Sequence, residues 1–309
     1  MTRGRLILVV VPALAIALLM STFRASPLPT PAPFAGPLPP ASPPERMSLY
    51  QLPTGVTHRD AASAYRGGSF RDKRDFAMTA LLVKHPRGDL LIDTGFGRDI
   101  DAHFRSMPLP FRMLTRYDHG RSAAEQLDAA GYDRRSLRAI LLTHAHWDHV
   151  SGLPELTGTP VWVTAEELRF IRDGGALTAL VRGFEGVRYE EIAFEGGRYL
   201  GYARSHDVYG DGSIVIVPAP GHTPGSVIVF LALPGGARYA MVGDIAWQRE
   251  GITELEERPW IPRFFGDWDP AGVRGELSHL AAIAARFPEM TLVPAHDSRG
   301  FAALPRLVP

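Results

Sequence analysis

An α/β fold of layered sheets covered by helices is predicted by three features of this 309-residue sequence. Short apolar runs of strand length alternate with stretches of helical pattern. Capping signatures open two of the helical stretches. The polar residues suited to chemistry recur just past the ends of apolar runs, where strands deliver side chains to one rim of a sheet.

The elements follow in order. Arg3 and Arg5 precede the apolar run Leu6 to Met20, which continues through Phe23. A basic start before an apolar run is the pattern of an export signal. Cleavage after Ala25 or Ser26 would need a small residue at −3, yet Phe23 or Arg24 stands there. Residues 1–25 therefore read as an uncleaved membrane anchor, with a cleaved secretory signal as the alternative. Either reading places the remainder outside the inner membrane, in the periplasm, with Arg3 and Arg5 on the cytoplasmic side if the run is kept. Residues 26–45 follow; half of Pro27 to Pro44 is proline, which predicts a stiff, extended spacer without packing. The folded domain is expected over 46–309.

Within it, Thr79 to Val83 and Leu90 to Ile92 flank Pro86-Arg87-Gly88-Asp89 and read as a hairpin. Ser122 with Glu125 and Thr164 with Glu167 are capping boxes that open helices to Ala130 and Arg172. Strands are expected at Ala139–Leu142, Pro160–Val163, Ile214–Val217, Val227–Leu231, Tyr239–Val242 and Thr291–Val293. Asp269-Pro270 starts a long helix ending near Phe287, with proline at its first position.

Composition removes several function classes. Lys plus Arg and Asp plus Glu both number 33, so the formal charge is zero and no nucleic-acid partner is indicated. The chain has no cysteine, which excludes disulfides, thiolate metal sites and a cysteine nucleophile.

The chemistry gathers at five strand ends. Leu90–Ile92 ends in Asp93-Thr94-Gly95, and Ile140–Leu142 ends in Thr143-His144-Ala145-His146-Trp147-Asp148-His149. Ile214–Val217 leads to Gly221-His222-Thr223-Pro224-Gly225, Val242 to Gly243-Asp244, and Val293 to His296-Asp297. Three imidazoles and a carboxylate within six residues form a ligand set suited to zinc, with iron or manganese as alternatives. One irregular turn can aim His144 and His146 at one ion, and Asp148 and His149 at a second. Isolated histidines such as His58, His85, His103, His119 and His279 are expected to be ordinary surface or core residues.

His144-x-His146-x-Asp148-His149 resembles the signature of the metallo-β-lactamase superfamily. Asp93 in Leu-Ile-Asp-Thr-Gly, His222 in Gly-His-Thr-Pro-Gly, Asp244 in Gly-Asp, and His296 occur in the order that this family shows. The resemblance implies a four-layer αβ/βα sandwich with the metals at one edge. It implies two zinc ions per chain: His144, His146 and His222 on the first, Asp148, His149 and His296 on the second, and Asp244 bridging both. Asp93 would orient ligands rather than bind. Asp148 would also shuttle a proton to the leaving group.

The motif set looks most like the acyl-homoserine lactonase branch, which implies a small-molecule lactone or ester as substrate. Thioester, β-lactam and phosphodiester hydrolysis, and a one-iron persulfide dioxygenase, are the alternatives carried by the same fold. One position departs from that branch: a tyrosine usually stands three residues after the bridging aspartate, where this chain has Trp247. Tyr202, Tyr209 and His206 are the candidates to take its place. The segment Arg258 to Trp268 is apolar and aromatic, so Trp260, Phe264 and Phe265, with Trp247, are expected to line an acyl pocket. The sequence assigns no oligomeric state.

Overall fold

The computed structural model describes residues 16–308. Arg3, Arg5 and the run from Leu6 to Ala15 lie outside the described residues. Residues 16–21 form a short helix, and no described helix is long and apolar enough to cross a membrane.

Two sheets make the core. The first contains β1 (Ser48–Asp60), β2 (Lys73–Lys84), β3 (Asp89–Ile92), β4 (Arg116–His119), β5 (Leu137–Leu141), β6 (Val161–Val163) and β7 (Tyr189–Glu191), in the order β4-β1-β2-β3-β5-β6-β7. The second contains β8 (His206–Asp207), β9 (Ile214–Pro218), β10 (Val227–Ala232), β11 (Arg238–Gly243) and β12 (Met290–Pro294), in the order β12-β11-β10-β9-β8. Six helices bear on the site: α1 (Leu109–Leu114), α2 (Ala123–Ala129), α3 (Trp147–Val150), α4 (Ala165–Asp173), α5 (Trp260–Gly266) and α6 (Pro270–Arg286).

Strand alternation explains why two sheets face each other. On β9, Ile214 and Ile216 point into the space between the sheets, while Val215 and Val217 point outward. On β10 the inner set is Val227, Val229 and Leu231, and the outer set is Ile228 and Phe230. Leu90 and Ile92 of β3 and Leu141 of β5 meet them from the other sheet. The outer residues are covered by Val273, Leu277, Leu280 and Ile283 of α6 on one side. Leu91 and Ile140 are covered by Leu127 of α2 and Val150 of α3 on the other. Helix, sheet, sheet and helix form four layers, as the resemblance implied.

Most boundaries agree with the sequence reading. β2 and β3 pair antiparallel across the Pro86–Asp89 turn. Ser122 and Glu125 make a reciprocal capping box. The long first strand β1 was not expected; Pro53 and Gly55 sit inside it, at a bulge that shifts its register against β2.

The proline-rich segment needs correction. It is extended, as its composition dictates, but it packs. Ser26 N donates to the Glu256 carboxylate at 2.7 Å, Leu28 N to Leu255 O at 2.8 Å, and Ser42 N to Asp211 O at 2.7 Å. Leu28, Phe34 and Leu38 pack onto the outer face of the second sheet and α6, and the Phe34 ring lies 6.0 Å from that of Phe287. Proline pre-extends the backbone, and the three apolar side chains between the prolines supply the adhesion. The segment is a strap along the domain rather than a spacer.

Candidate metal centre

Five strand-end loops converge at one edge of the sandwich. Gly221 permits the turn that carries His222: its φ is +155° and a β-carbon there would stand 2.7 Å from Val273 N. His144 and His146 follow β5, and His149 lies in the first turn after His146, within α3. Asp244 follows β11, and His296 follows β12.

The ligand atoms of His144, His146 and His222 lie within 4.8 Å of one another, and so do those of Asp148, His149 and His296. Asp244 stands between the two trios. Its Oδ1 is 3.4 Å from His149 Nε2, its Oδ2 is 3.5 Å from His222 Nε2 and 4.0 Å from His144 Nε2, and both oxygens are 3.1 Å from His296 Nε2. All of these residues are buried except Asp148, which is partly open.

The ring nitrogens facing away are held by acceptors. His149 Nδ1 is 2.8 Å from Asp93 Oδ2, His222 Nδ1 is 2.8 Å from Asp267 Oδ1, and His296 Nδ1 is 2.9 Å from Ala77 O. Such partners fix the tautomer and turn the Nε2 lone pair inward. Nε2 of His144, His146 and His149, and Oδ1 of Asp244, are buried without any hydrogen-bond partner. An unpartnered buried polar atom is costly; His144, His149 and Asp244, whose donor atoms lie within 4.8 Å of one another, fit a cation, and His146 turns its Nδ1 toward His222 Nε2 at 2.9 Å. Burial holds the His144 and His146 imidazoles well below their usual range, hence neutral as ligands must be. Burial would raise the Asp244 carboxyl, but His296 and His149 pull it well below the usual carboxylate range, so it is ionised. The donors are nitrogen and carboxylate oxygen only, a set that suits zinc, iron or manganese.

Asp93 lies beside His149. Its Oδ1 accepts from Thr143 N at 2.7 Å, and its Oδ2 from Thr143 Oγ1 at 2.7 Å as well as from His149. Other supports were not read from the sequence. Asp267 pairs with buried Arg258, whose guanidinium also donates to Asp244 O at 2.7 Å and lies 5.0 Å from the Trp247 ring. Glu167 corrects the second capping box: Thr164 Oγ1 accepts from Glu167 N, but the carboxylate turns inward. It accepts from Ala145 N at 2.7 Å, Thr223 Oγ1 at 2.6 Å and Gly225 N at 3.0 Å, tying the His144–His146 loop to the His222 loop.

The residues proposed to replace the usual tyrosine are elsewhere. Tyr202 is buried against Phe230 and donates to Glu276, Tyr209 stacks on His85 and donates to Gly88 O, and His206 sits on edge strand β8 near Trp162. Each serves packing far from the loops. Trp247 stays at the centre, but its Nε1 donates to Asp244 Oδ2 at 2.8 Å. The aromatic segment forms α5. Trp268 N and Asp269 N donate to the carbonyls of His222 and Gly221, closing the segment against the site. Gly266 faces His222 and Trp247, whereas Trp260, Phe264 and Phe265 are 49 %, 63 % and 62 % exposed.

Comparison with known proteins agrees with this geometry. The metallo-beta-lactamase superfamily profile matches residues 75–296. A probable metallo-hydrolase of Mycobacterium tuberculosis is 29% identical over 231 residues, covering 70% of this chain and 73% of that one. The N-acyl homoserine lactonase AttM of Agrobacterium fabrum is 26% identical over 267 residues, covering 82% and 94%. An N-acyl homoserine lactone hydrolase solved with N-hexanoyl-L-homoserine at its catalytic metal centre superposes with a TM-score of 0.65 at 18% identity, over 81% of this chain and 93% of that one. The dizinc quorum-quenching lactonase AidC superposes with a TM-score of 0.57 at 17% identity, over 82% and 88%. With its profile match spanning every loop from Asp93 to His296, this chain belongs to the metallo-beta-lactamase superfamily.

Proposed function

We propose that this metal-dependent hydrolase holds two zinc ions and opens a lactone or ester bearing an apolar acyl chain, with acyl-homoserine lactones as the leading class. The observation that carries the reading is the Asp244 carboxylate, set between two candidate trios with its oxygens 3.1 to 4.0 Å from the Nε2 atoms of His144, His149, His222 and His296. His144, His146 and His222 would hold one ion, Asp148, His149 and His296 the other, and Asp244 both. Iron or manganese would suit the same donors. Ions held there supply Lewis acidity, which acidifies water and polarises a carbonyl.

The chain's own residues do the rest. Asp148 is the one partly open member of the set, with Oδ2 3.5 Å from His296 Nε2. Its carboxylate would carry a proton from the attacking water to the departing alkoxide. Asp93 and Asp267 keep His149 and His222 in the tautomer that points Nε2 inward. Trp247, at the position where the lactonase branch has a phenol, has its indole N–H committed to Asp244. Gly266 leaves room beside His222 and Trp247, and Trp260, Phe264 and Phe265 form an apolar outer rim along which an acyl chain would lie. The lactonase names of relatives over most of the chain favour this substrate over a thioester, β-lactam or phosphodiester.

The basic and then apolar N-terminus supports export, with catalysis on the periplasmic side. The test is a panel of lactones, thioesters, β-lactams and phosphodiesters on zinc-loaded protein. Lactones and esters should turn over fastest; turnover of phosphodiesters or β-lactams alone would refute the substrate reading and leave the metal reading standing.

A further inference from the structure

The site mouth is bordered by apolar side chains that no described residue covers. On one side is α5, with Trp260, Phe264 and Phe265 exposed, followed by Trp268 at 62 % exposure. On the other is α1, which buries none of its residues; Leu109, Met113 and Leu114 are 59 %, 75 % and 71 % exposed. Both adjoin the site. Phe111 of α1 packs on Trp147, between His146 and Asp148, and Gly266 of α5 faces His222. A helix that turns its apolar groups to water at an enzyme's mouth marks an interaction surface.

The strap indicates what that surface meets. Thr22 Oγ1 accepts from Trp260 N at 2.5 Å, the first residue of α5. Phe23 lies 4.9 Å from Phe70, ring to ring, and its carbonyl accepts from Gly67 N. The residues just before them, 16–21, are helical, and Ile16 and Leu18 are 61 % and 75 % exposed. Sequence upstream continues apolar back to Leu6, behind Arg5 and Arg3. An apolar run from Leu6 to Phe23 is about long enough to cross a bilayer only if the chain leaves the lipid at Thr22–Phe23. Among the described residues, that is where contacts with the catalytic domain begin. The strap then leaves no free length between lipid and α5. Exposed Arg24 and Arg71 adjoin Phe23 and Phe70, where cations meet anionic headgroups.

We propose that the face around the site mouth rests on a lipid bilayer, with α1 and α5 inserting their apolar side chains at headgroup depth. Tryptophan and apolar side chains on short surface helices suit that depth. An amphiphilic substrate dissolved in the bilayer would then enter the site laterally, acyl chain last. This clause rests on the acyl-substrate reading above; the bilayer contact rests on the reading of the N-terminal run as a retained membrane anchor.

The experiment uses the absence of cysteine. Met113→Cys, Phe265→Cys and Glu289→Cys are made singly in the full chain, spin-labelled, and reconstituted in nanodiscs of phosphatidylethanolamine and phosphatidylglycerol. Glu289 is exposed beside the start of β12, at the end of the sheet opposite the site, and serves as the water-facing reference. Labels at 113 and 265 should collide more with dissolved oxygen and less with a water-soluble nickel chelate than the label at 289. Equal nickel access at all three positions overturns the proposal, because the face then looks to water. Loss of access to both reagents at 113 and 265, with spin–spin broadening, also overturns it, because a second copy then covers the face. No substrate enters the measurement, so its failure is separable from failure of the lactone reading.

Discussion

Removal of Asp267 is the most informative single perturbation of the site's support. Asp267 and Arg258 are 1 % and 2 % exposed at the side chain and form a direct ion pair, and Asp267 Oδ1 also holds His222 Nδ1 at 2.8 Å. In Asp267→Ala, Arg258 loses its carboxylate and keeps uncharged partners: the carbonyls of Asp244 and Ile245, at 2.7 and 3.3 Å, His222 Nδ1 at 3.4 Å and the Trp247 ring. Leaving a buried charge without its partner costs about 3–5 kcal/mol. The imidazole of His222 also loses the group that fixes its tautomer, a change that typically weakens metal binding about 10–100-fold. Urea unfolding of metal-free protein reads the first effect and chelator competition for zinc reads the second. The double variant Arg258→Met/Asp267→Leu removes both charges, so it should regain most of the stability while zinc affinity stays low. A loss below about 1 kcal/mol in the single variant, or a double variant no more stable than the single, would refute the argument.

Four further outcomes are expected. Trp247→Phe keeps the ring and deletes the donor to Asp244; a hydrogen bond to a charged acceptor is worth about 1.5–3 kcal/mol, so zinc affinity should fall roughly tenfold or more by chelator competition. Burial pushes the Glu276 carboxyl up to about 7, against the opposing hydrogen bond from Tyr202. Its folded pKa thus exceeds its unfolded one, so stability is full below about pH 4.5 and falls by up to ~3 kcal/mol toward pH 7; Glu276→Gln should flatten that slope in urea titrations run across pH. Phe34→Ala should cost about 1–2 kcal/mol, less than a fully buried phenylalanine because the strap is only partly covered, and a chain beginning at Arg46 should unfold at lower urea than the full chain. In an acyl-chain series kcat/KM should rise with length, at most about fourfold per CH₂, and Phe264→Ala should flatten the rise.

How legible this protein is in its sequence depends on how local each signal is. Four candidate ligands crowd into His144–His149 and the other three each follow an apolar run, so local pattern exposes them together with the strands that carry them. Asp267, Arg258 and Glu167 are single polar residues whose partners lie 9 to 58 positions away. Glu167 even matches a local motif, the capping box, that masks its longer-range work. β1 escaped notice because Pro53 and Gly55 interrupt its pattern, and a register-shifting bulge absorbs them. The strap was misread because proline content reports backbone stiffness, whereas adhesion depends on Leu28, Phe34 and Leu38, which follow no period. Trp247 was seen as a departure from the lactonase pattern, but only the geometry reveals that its N–H is spent on Asp244.

The central claim is that Asp244 joins two ion sites. Zinc titration of the metal-free full chain, with metal content measured after gel filtration, tests it most directly. Wild type should retain two zinc ions per chain, and Asp244→Asn should lose affinity at both sites, because each trio loses its shared oxygen donor. One ion per chain in wild type, or two retained with unchanged affinity in Asp244→Asn, would contradict the account.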